Sequence, residues 1–128
     1  MSHAALRARY VGDSVTTASP HQLLVMLYDR LALDLERGQQ AAAAGNRQEA
    51  TDQLLHAQEI VLELLASLRV DLWEGGPRLA ALYDWLIREL SQATIKLDGN
   101  RIGSCRQVVE PLRDAWRQAA ASLAGAPS

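Results

Sequence analysis

The chain has 128 residues, a mass of 14.0 kDa and a formal net charge of -2, which suits one domain with one hydrophobic core. Hydrophobic residues make up 48% of the sequence and aromatic residues only 5%, a balance that favours helices over sheets. The 13 basic and 15 acidic residues are scattered, so nucleic acid is not an expected partner. No signal peptide or membrane-spanning apolar run is recognisable, which predicts a soluble cytosolic protein without membrane insertion.

The first predicted element is a short N-terminal cap segment, residues 1–18, followed by a helix over residues 19–44. Ser19 is a good N-cap, and Gln22 completes a capping box with it. Gly45 is a natural C-terminal stop for this helix. The helix therefore begins and ends at residues whose chemistry suits helix ends.

Three more helices are predicted, over residues 46–71, 77–98 and 101–124. Asn46 followed by Glu49 predicts a second capping box, and "WEGGP" and "DGN" are helix-breaking turns between the later helices. Each helix has apolar residues at three- and four-residue steps, and the connections are short. Residues 1–128 are therefore expected to form one all-α domain, an antiparallel up-down four-helix bundle. Pro111 predicts a bend in the last helix near Gln107.

Some apolar residues fall outside the predicted core faces. On the second helix, Leu55, Leu62 and Ala66 form a second stripe roughly 110° to 150° from the core face. Trp85 likewise points away from the core of the third helix. These side chains need cover, because large exposed apolar patches usually mark interaction surfaces.

Two explanations of these apolar residues outside the core faces remain open, and both can hold. The N-terminal segment that contains Leu6 and Tyr10 could simply fold over part of the surface, since isolated exposed apolar residues are common. Alternatively, the stripe lines a groove for a partner helix. In that case the segment would be a removable cover that the partner displaces.

A repeated triplet also predicts matched positions on two helices: "LYDRL" at 27–31 and "LYDWL" at 82–86. The helical period places each leucine toward the core, each tyrosine about 40° to 50° off its centre and each aspartate outward. A structural use is expected, with the tyrosine rings buried and their hydroxyls at a wet edge or bonded to a neighbouring helix.

The residues for catalysis or cofactor binding are not in a recognisable pattern. His56 and Glu59 are three residues apart, but the order is reversed relative to the Glu-x-x-His pairs of metal bundles, and no second helix repeats it. Surface placement is the expectation for both residues, with no metal. The sequence also lacks a phosphate-binding glycine loop and an oriented nucleophile. Neither an enzyme nor a cofactor is expected; the alternatives are a metal-binding bundle and a self-association module, including a homodimer.

With these motifs together, the chain resembles the flagellar secretion chaperones of the FliS family. The resemblance rests on Tyr10 followed by Val15, on "TASPHQLLVMLYDRL" at 17–31, on "GG" before "LYDWL", and on "LRDAW" ending at Trp116. It covers nearly the whole chain, and the run at 17–31 is its most specific part.

This resemblance implies a cytosolic export chaperone. Such a chaperone binds the disordered C-terminal segment of flagellin, prevents premature polymerisation and delivers the client to the flagellar type III export gate protein. By position, Tyr10 matches the tyrosine of the family's N-terminal segment, which lies over part of the client surface. From helical geometry the binding groove and cover are expected to include five further residues: Leu6, Leu55, Leu62, Ala66 and Trp85.

Overall fold

The described part of the chain forms four α-helices: α1 (Pro20–Ala43), α2 (Arg47–Ser67), α3 (Gly76–Lys96) and α4 (Gly99–Ala124). They are seen in a computed structural model that describes residues 19–69 and 74–124. The described part of the chain contains no β-strand, so the predicted all-α class is confirmed. The predicted cap segment, residues 1–18, lies outside the described residues.

Neighbours along the chain are neighbours in space, and α4 closes the ring by packing on α1. Two bonds between α1 and α4 give the direction of these helices. The Gln39 amide, near the end of α1, donates to the carbonyl of Gly99 at the start of α4, at 3.0 Å. Arg117, toward the end of α4, donates to Asp29 at 2.7 Å. The two helices are therefore antiparallel, as the short connections predicted.

The start of α1 follows the predicted capping chemistry. The Ser19 hydroxyl accepts a hydrogen bond from the Gln22 backbone N–H, and the Gln22 side chain accepts one from the Ser19 N–H. At its other end, Gly45 adopts φ +72°, and the Asn46 N–H donates to the carbonyl of Ala41. This is the Schellman arrangement, in which glycine avoids the penalty that other residues pay for a left-handed backbone.

The second helix differs from its prediction at both ends. The Asn46 side chain caps the Glu49 N–H, but the Asn46 N–H bonds back to α1, so only half of a capping box forms. The helix ends at Ser67 rather than at residue 71, because Leu68 is already extended, with ψ 127°. The apolar pattern alone continued past this end.

One contiguous apolar core runs through the bundle. Every helix contributes at three- and four-residue steps, as the periodicity predicted. The fully buried large side chains of the core are Tyr28, Leu31, Leu35, Leu54, Ile60, Val61, Leu64, Tyr83, Leu86, Leu90 and Ile102. Helix α4 continues through Pro111 without interruption, and the predicted bend near Gln107 stays a prediction.

Glycines bring the helices close together at one end of the bundle. A Cβ atom on Gly38 of α1 would lie 3.0 Å from Cδ2 of Leu54 on α2. A Cβ atom on Gly103 of α4 would lie 2.9 Å from the amide nitrogen of Gln39. At both places the backbone of one helix packs directly on a side chain of its neighbour, and a larger residue would push against it.

Candidate functional site

The outer face of α2 carries the apolar stripe that the sequence predicted. Leu55 is 49% exposed, Ala66 is exposed and Leu62 is half-buried. All three lie away from the fully buried positions of the same helix, such as Leu54 and Val61. We call Leu55, Leu62 and Ala66 the α2 stripe. It provides apolar surface that the bundle core does not use.

Acidic side chains flank the α2 stripe. Asp52 and Glu59 lie one turn on either side of Leu55, and the helical period places all three on the same outer face. Asp52 is exposed and accepts a hydrogen bond from the Gln48 amide at 2.9 Å. A partner lying along the stripe would therefore meet leucine flanked by carboxylate.

Trp85 is half-buried and packs against the core cluster, so it does not point freely outward as the sequence predicted. Its side of α3 is given by Glu89, one turn later, whose carboxylate accepts from Arg101 of α4 at 3.2 Å. Trp85 therefore lies on the side of α3 that faces α4.

Ile87 occupies the opposite side of α3. Two turns later on the same side, the Thr94 hydroxyl lies 3.5 Å from the Gln58 amide of α2. Ile87 is half-buried and packs against the core cluster. Ile87 is therefore better placed than Trp85 to contact a partner that lies on the α2 stripe. The sequence pattern did not single out this residue. Its two-residue spacing from Trp85 was the available signal, because that spacing puts the two side chains about 200° apart.

Leu6 and Tyr10, the proposed cover residues, lie outside the described residues. Of the predicted site, the structure therefore places Leu55, Leu62 and Ala66 on one face of α2 and Trp85 on the side of α3 that faces α4. The roles of all six residues in binding stay predictions.

Beneath these surfaces, two tyrosines meet in the centre of the bundle. Tyr28 is 0% and Tyr83 2% exposed, and their hydroxyl oxygens are 2.7 Å apart in a hydrogen bond between α1 and α3. The predicted bond to another helix is present, but the predicted off-centre placement is wrong. The tyrosines can occupy the core because their two hydroxyls satisfy each other inside the bundle. Leu27 and Leu82 are only half-buried.

Burial raises the pKa of both tyrosine hydroxyls above the ordinary value of 10.0, since the phenolate is poorly solvated there. For Tyr28, hydrogen bonds from Tyr83 and from the Trp116 indole act in the opposite direction. Burial also raises the pKa of the Cys105 thiol to about 12. These groups are therefore neutral in the folded protein well into the alkaline range.

We expect the free energy of unfolding to fall as the pH rises above about 9. Each raised pKa means that the folded state holds a proton that the unfolded chain releases at lower pH. The stability that these protonated groups contribute is therefore fully present below their pKa values in the unfolded chain. It is lost as the pH rises through their pKa values in the folded protein. Urea titrations followed by circular dichroism between pH 7 and 11 measure it. If a Cys105→Ala variant still shows most of the fall in the free energy of unfolding, the tyrosines cause that fall. A free energy of unfolding that stays constant to pH 11 would contradict the expectation.

A polar cluster lies between α1 and α2. The Asp34 carboxylate is fully buried, contacts Nδ1 of His56, and forms an ion pair with Nε of Arg30 at 3.0 Å. The predicted surface placement of His56 is therefore wrong, because its side chain is only 15% exposed and has an acidic partner. Within residues 19–69 and 74–124, no group of three or more ligating side chains could hold a metal ion.

The chain matches the flagellar protein FliS family over residues 2–123. It belongs to this family. The flagellar secretion chaperone FliS of Bacillus subtilis (strain 168) is 34% identical over 110 residues, which cover 86% of this chain and 82% of that protein. FliS of Salmonella typhimurium is 32% identical over 111 residues, with coverage of 84% and 82%. The FliS family is one of chaperones, so the prediction of a non-enzyme is confirmed.

A solved structure shares the fold. The crystal structure of a flagellar chaperone from bacteria superposes with a TM-score of 0.74 at 21% sequence identity, covering 93% of this chain and 98% of the other. The described helices of this chain include none with the length and apolar character needed to span a bilayer. The FliS resemblance and the four-helix architecture predicted from the sequence are thus both confirmed.

Proposed function

We propose that this FliS-family protein is a cytosolic export chaperone for flagellin. It binds the disordered C-terminal segment of flagellin, prevents its premature polymerisation and delivers it to the flagellar type III export gate. Family membership supports the chaperone class, and the resemblance of the motifs supports flagellin as the client. The observation that carries the binding mode is the α2 stripe, which lies outside the core that residues 19–69 and 74–124 form.

The client is proposed to fold into helices along the α2 stripe. Leu55 and Leu62 provide apolar contacts, and Ile87 of α3 lies on the side of the bundle that faces α2. The N-terminal segment with Leu6 and Tyr10 covers part of this surface until the client displaces it.

Binding of this kind needs a large interface. Ordering a disordered segment costs about 2–5 kcal/mol of the gross interaction energy, so several apolar contacts have to act together. Trp85 offers a second contact on the α4 side of α3, and a client that wraps around α3 would reach it. No nucleotide or cofactor enters this mechanism, because transfer of apolar surface out of water drives the association.

The test compares aspartate substitutions of two exposed leucines, one in the α2 stripe and one outside it. Leu55→Asp places a charge in the α2 stripe, and we expect at least a tenfold loss of affinity for a peptide of the last forty or so flagellin residues. Leu123→Asp is the control, because Leu123 is 55% exposed on α4, away from the stripe. Isothermal titration calorimetry measures both affinities.

Circular dichroism of the two variants establishes that each remains helical. Equal affinities for Leu55→Asp and Leu123→Asp would contradict the α2 stripe as the client site. If the native chain fails to retain flagellin on co-purification from its own cell, the client assignment itself is wrong. Secretion of flagellin in cells that carry Leu55→Asp then reports on delivery.

A further inference from the structure

A row of carboxylates runs beside the α2 stripe. It consists of Asp52, Glu59 and Glu63, and we call it the acidic row. Its members have the same seven- and four-residue spacing as the members of the α2 stripe, and each precedes one of them by three positions. The two rows are therefore parallel and lie about 60° apart around the helix. Helix α2 thus presents an apolar strip with a negative border.

The acidic row lies on the side of α2 that faces α1. His56 is next to the row around the helix, and it contacts the buried Asp34 of α1. Arg30 of α1 also pairs with Asp34, at 3.0 Å. Asp34 and the acidic row together provide four carboxylates, against the one arginine and one histidine of this cluster. This border of the α2 stripe is therefore net negative and would attract a cationic segment.

Burial of the acidic row increases toward the end of α2. Asp52 is exposed, Glu59 is half-buried and Glu63 is only 5% exposed. Glu63 follows the fully buried Ala57 by six residues, which puts it about 120° around the helix from that core position. Both glutamates also have an interaction within the folded chain. A separate partner would have to displace these contacts, so the chain itself is the better source of an occupant for this edge.

The N-terminal segment has the complementary sequence. In "LRARY" at 6–10, apolar residues alternate with Arg7 and Arg9. In an extended chain the two arginines lie on the same side, about 7 Å apart. Glu59 and Glu63 are one helical turn apart, or about 6 Å. The spacing of the cations therefore matches the spacing of the carboxylates.

We infer that Arg7 and Arg9 hold the N-terminal cover on the acidic row, while Leu6 and Tyr10 lie on the α2 stripe. We call these ion pairs the arginine latch. Arginine suits this position, because its long apolar stem can lie along the stripe while the guanidinium reaches the neighbouring carboxylates. The cover is then held by apolar contact and by charge together.

The segment is long enough to reach the acidic row. Helices α1 and α2 are antiparallel, because Asp34 meets His56 while Gly38, further along α1, lies against Leu54, earlier on α2. The N-terminal segment therefore enters α1 at the end of the bundle where α2 finishes. Ten residues separate Arg9 from Ser19, and ten extended residues span about 33 Å. Glu63 lies only four residues, or about 6 Å, from the end of α2.

The arginine latch has a regulatory consequence, which rests on the proposed function. Cover and client compete for the α2 stripe, so ion pairs that hold the cover lower the apparent affinity for the client. Salt screens exposed ion pairs, so added salt is expected to release the cover. The charge of the N-terminal segment thus sets how readily the client gains access.

Protease cleavage after Tyr10 measures the latch from the bundle side. Glu59→Arg reverses one charge of the acidic row and leaves the sequence around Tyr10 unchanged. We expect chymotrypsin to cut the full chain after Tyr10 at least threefold faster in this variant, because cleavage follows the fraction of chains with a released cover. Asp114→Arg is the control, since it makes the same charge change at a 61% exposed position of α4. It should be cut at the native rate, and circular dichroism establishes that both variants remain helical.

Thiol labelling measures the latch from the segment side. Leu62→Cys places a thiol in the α2 stripe, whereas the native Cys105 is buried and has its pKa raised to about 12, so it reacts slowly. Adding Arg7→Glu and Arg9→Glu should raise the rate of labelling by iodoacetamide at least threefold. Added salt should have the same effect while both arginines are present. A control thiol at Leu123→Cys, on α4, should react at a rate that neither change alters.

The arginine latch would be overturned if Glu59→Arg is cut no faster than Asp114→Arg and the arginine reversals leave the labelling of Leu62→Cys unchanged. Flagellin peptide binding, measured on the same chains, tests the proposed function separately. If both rates rise as expected and no chain binds the peptide, the latch holds and the proposed function fails. If the peptide binds while both rates stay unchanged, the reverse is true.

Discussion

Replacing Asp34 with alanine should lower the free energy of unfolding by about 3 kcal/mol, because it leaves two charged or polar partners without their carboxylate. Asp34 is fully buried, contacts His56 of α2 and pairs with Arg30 one turn earlier on α1. Removing one member of a buried ion pair costs more than the pair contributes, since the remaining group stays poorly solvated. Urea denaturation followed by circular dichroism measures the loss.

A neighbouring aspartate serves as the control. Asp29 is also on α1 and also pairs with an arginine, Arg117 of α4, at 2.7 Å. Both partners are at least 40% exposed, so Asp29→Ala should cost only about 0–1 kcal/mol. Similar losses at the two positions would show that the cluster around Asp34 is not a buried charge site.

Removing one hydroxyl of the central tyrosine pair should destabilise the bundle more than removing both. Tyr28→Phe or Tyr83→Phe leaves the other hydroxyl buried without its 2.7 Å partner, at a cost of about 1–3 kcal/mol. The double variant has no stranded hydroxyl in the pair and should return to within about 1 kcal/mol of the native chain. We expect Tyr28→Phe to cost more than Tyr83→Phe, because Tyr28 also interacts with the Trp116 indole.

A double-mutant cycle of urea midpoints measures this coupling. Coupling of at least about 1 kcal/mol is the expected result. If the two single losses simply add in the double variant, the hydrogen bond is not what stabilises this pair. Near-ultraviolet circular dichroism checks that the rings keep their packing in all three variants.

Much of the fold follows from local chemistry that is readable in the sequence. Ser19 and Gln22 cap α1 as predicted, and Gly45 ends it, because each satisfies backbone groups within a few residues of its own position. The core faces are likewise predictable, because the helical period depends only on residues within one helix. The end of α2 at Ser67 was less predictable, since the apolar spacing continues beyond it.

Features that depend on a second helix were predicted less well. The sequence placed Tyr28 and Tyr83 off the core centre, because the periodicity of one helix does not show that two hydroxyls satisfy each other. It placed His56 on the surface, because Asp34 is distant in sequence and reaches it only through the packing of α1 on α2. Similarly, the side of α3 that holds Trp85 is shown only by a contact between helices, the bond from Arg101 to Glu89.

The close glycine contacts give the bundle two unlike ends. Gly38 and Gly103 hold α1 tightly against α2 and α4 at the end where α1 finishes. At the opposite end, where α1 starts, several apolar side chains are only half-buried: Leu24, Leu27, Leu65, Leu68 and Trp116. Local opening of the bundle is therefore expected to begin at this end, while the glycine contacts stay closed. The bundle would then open at one end rather than expand evenly along its length.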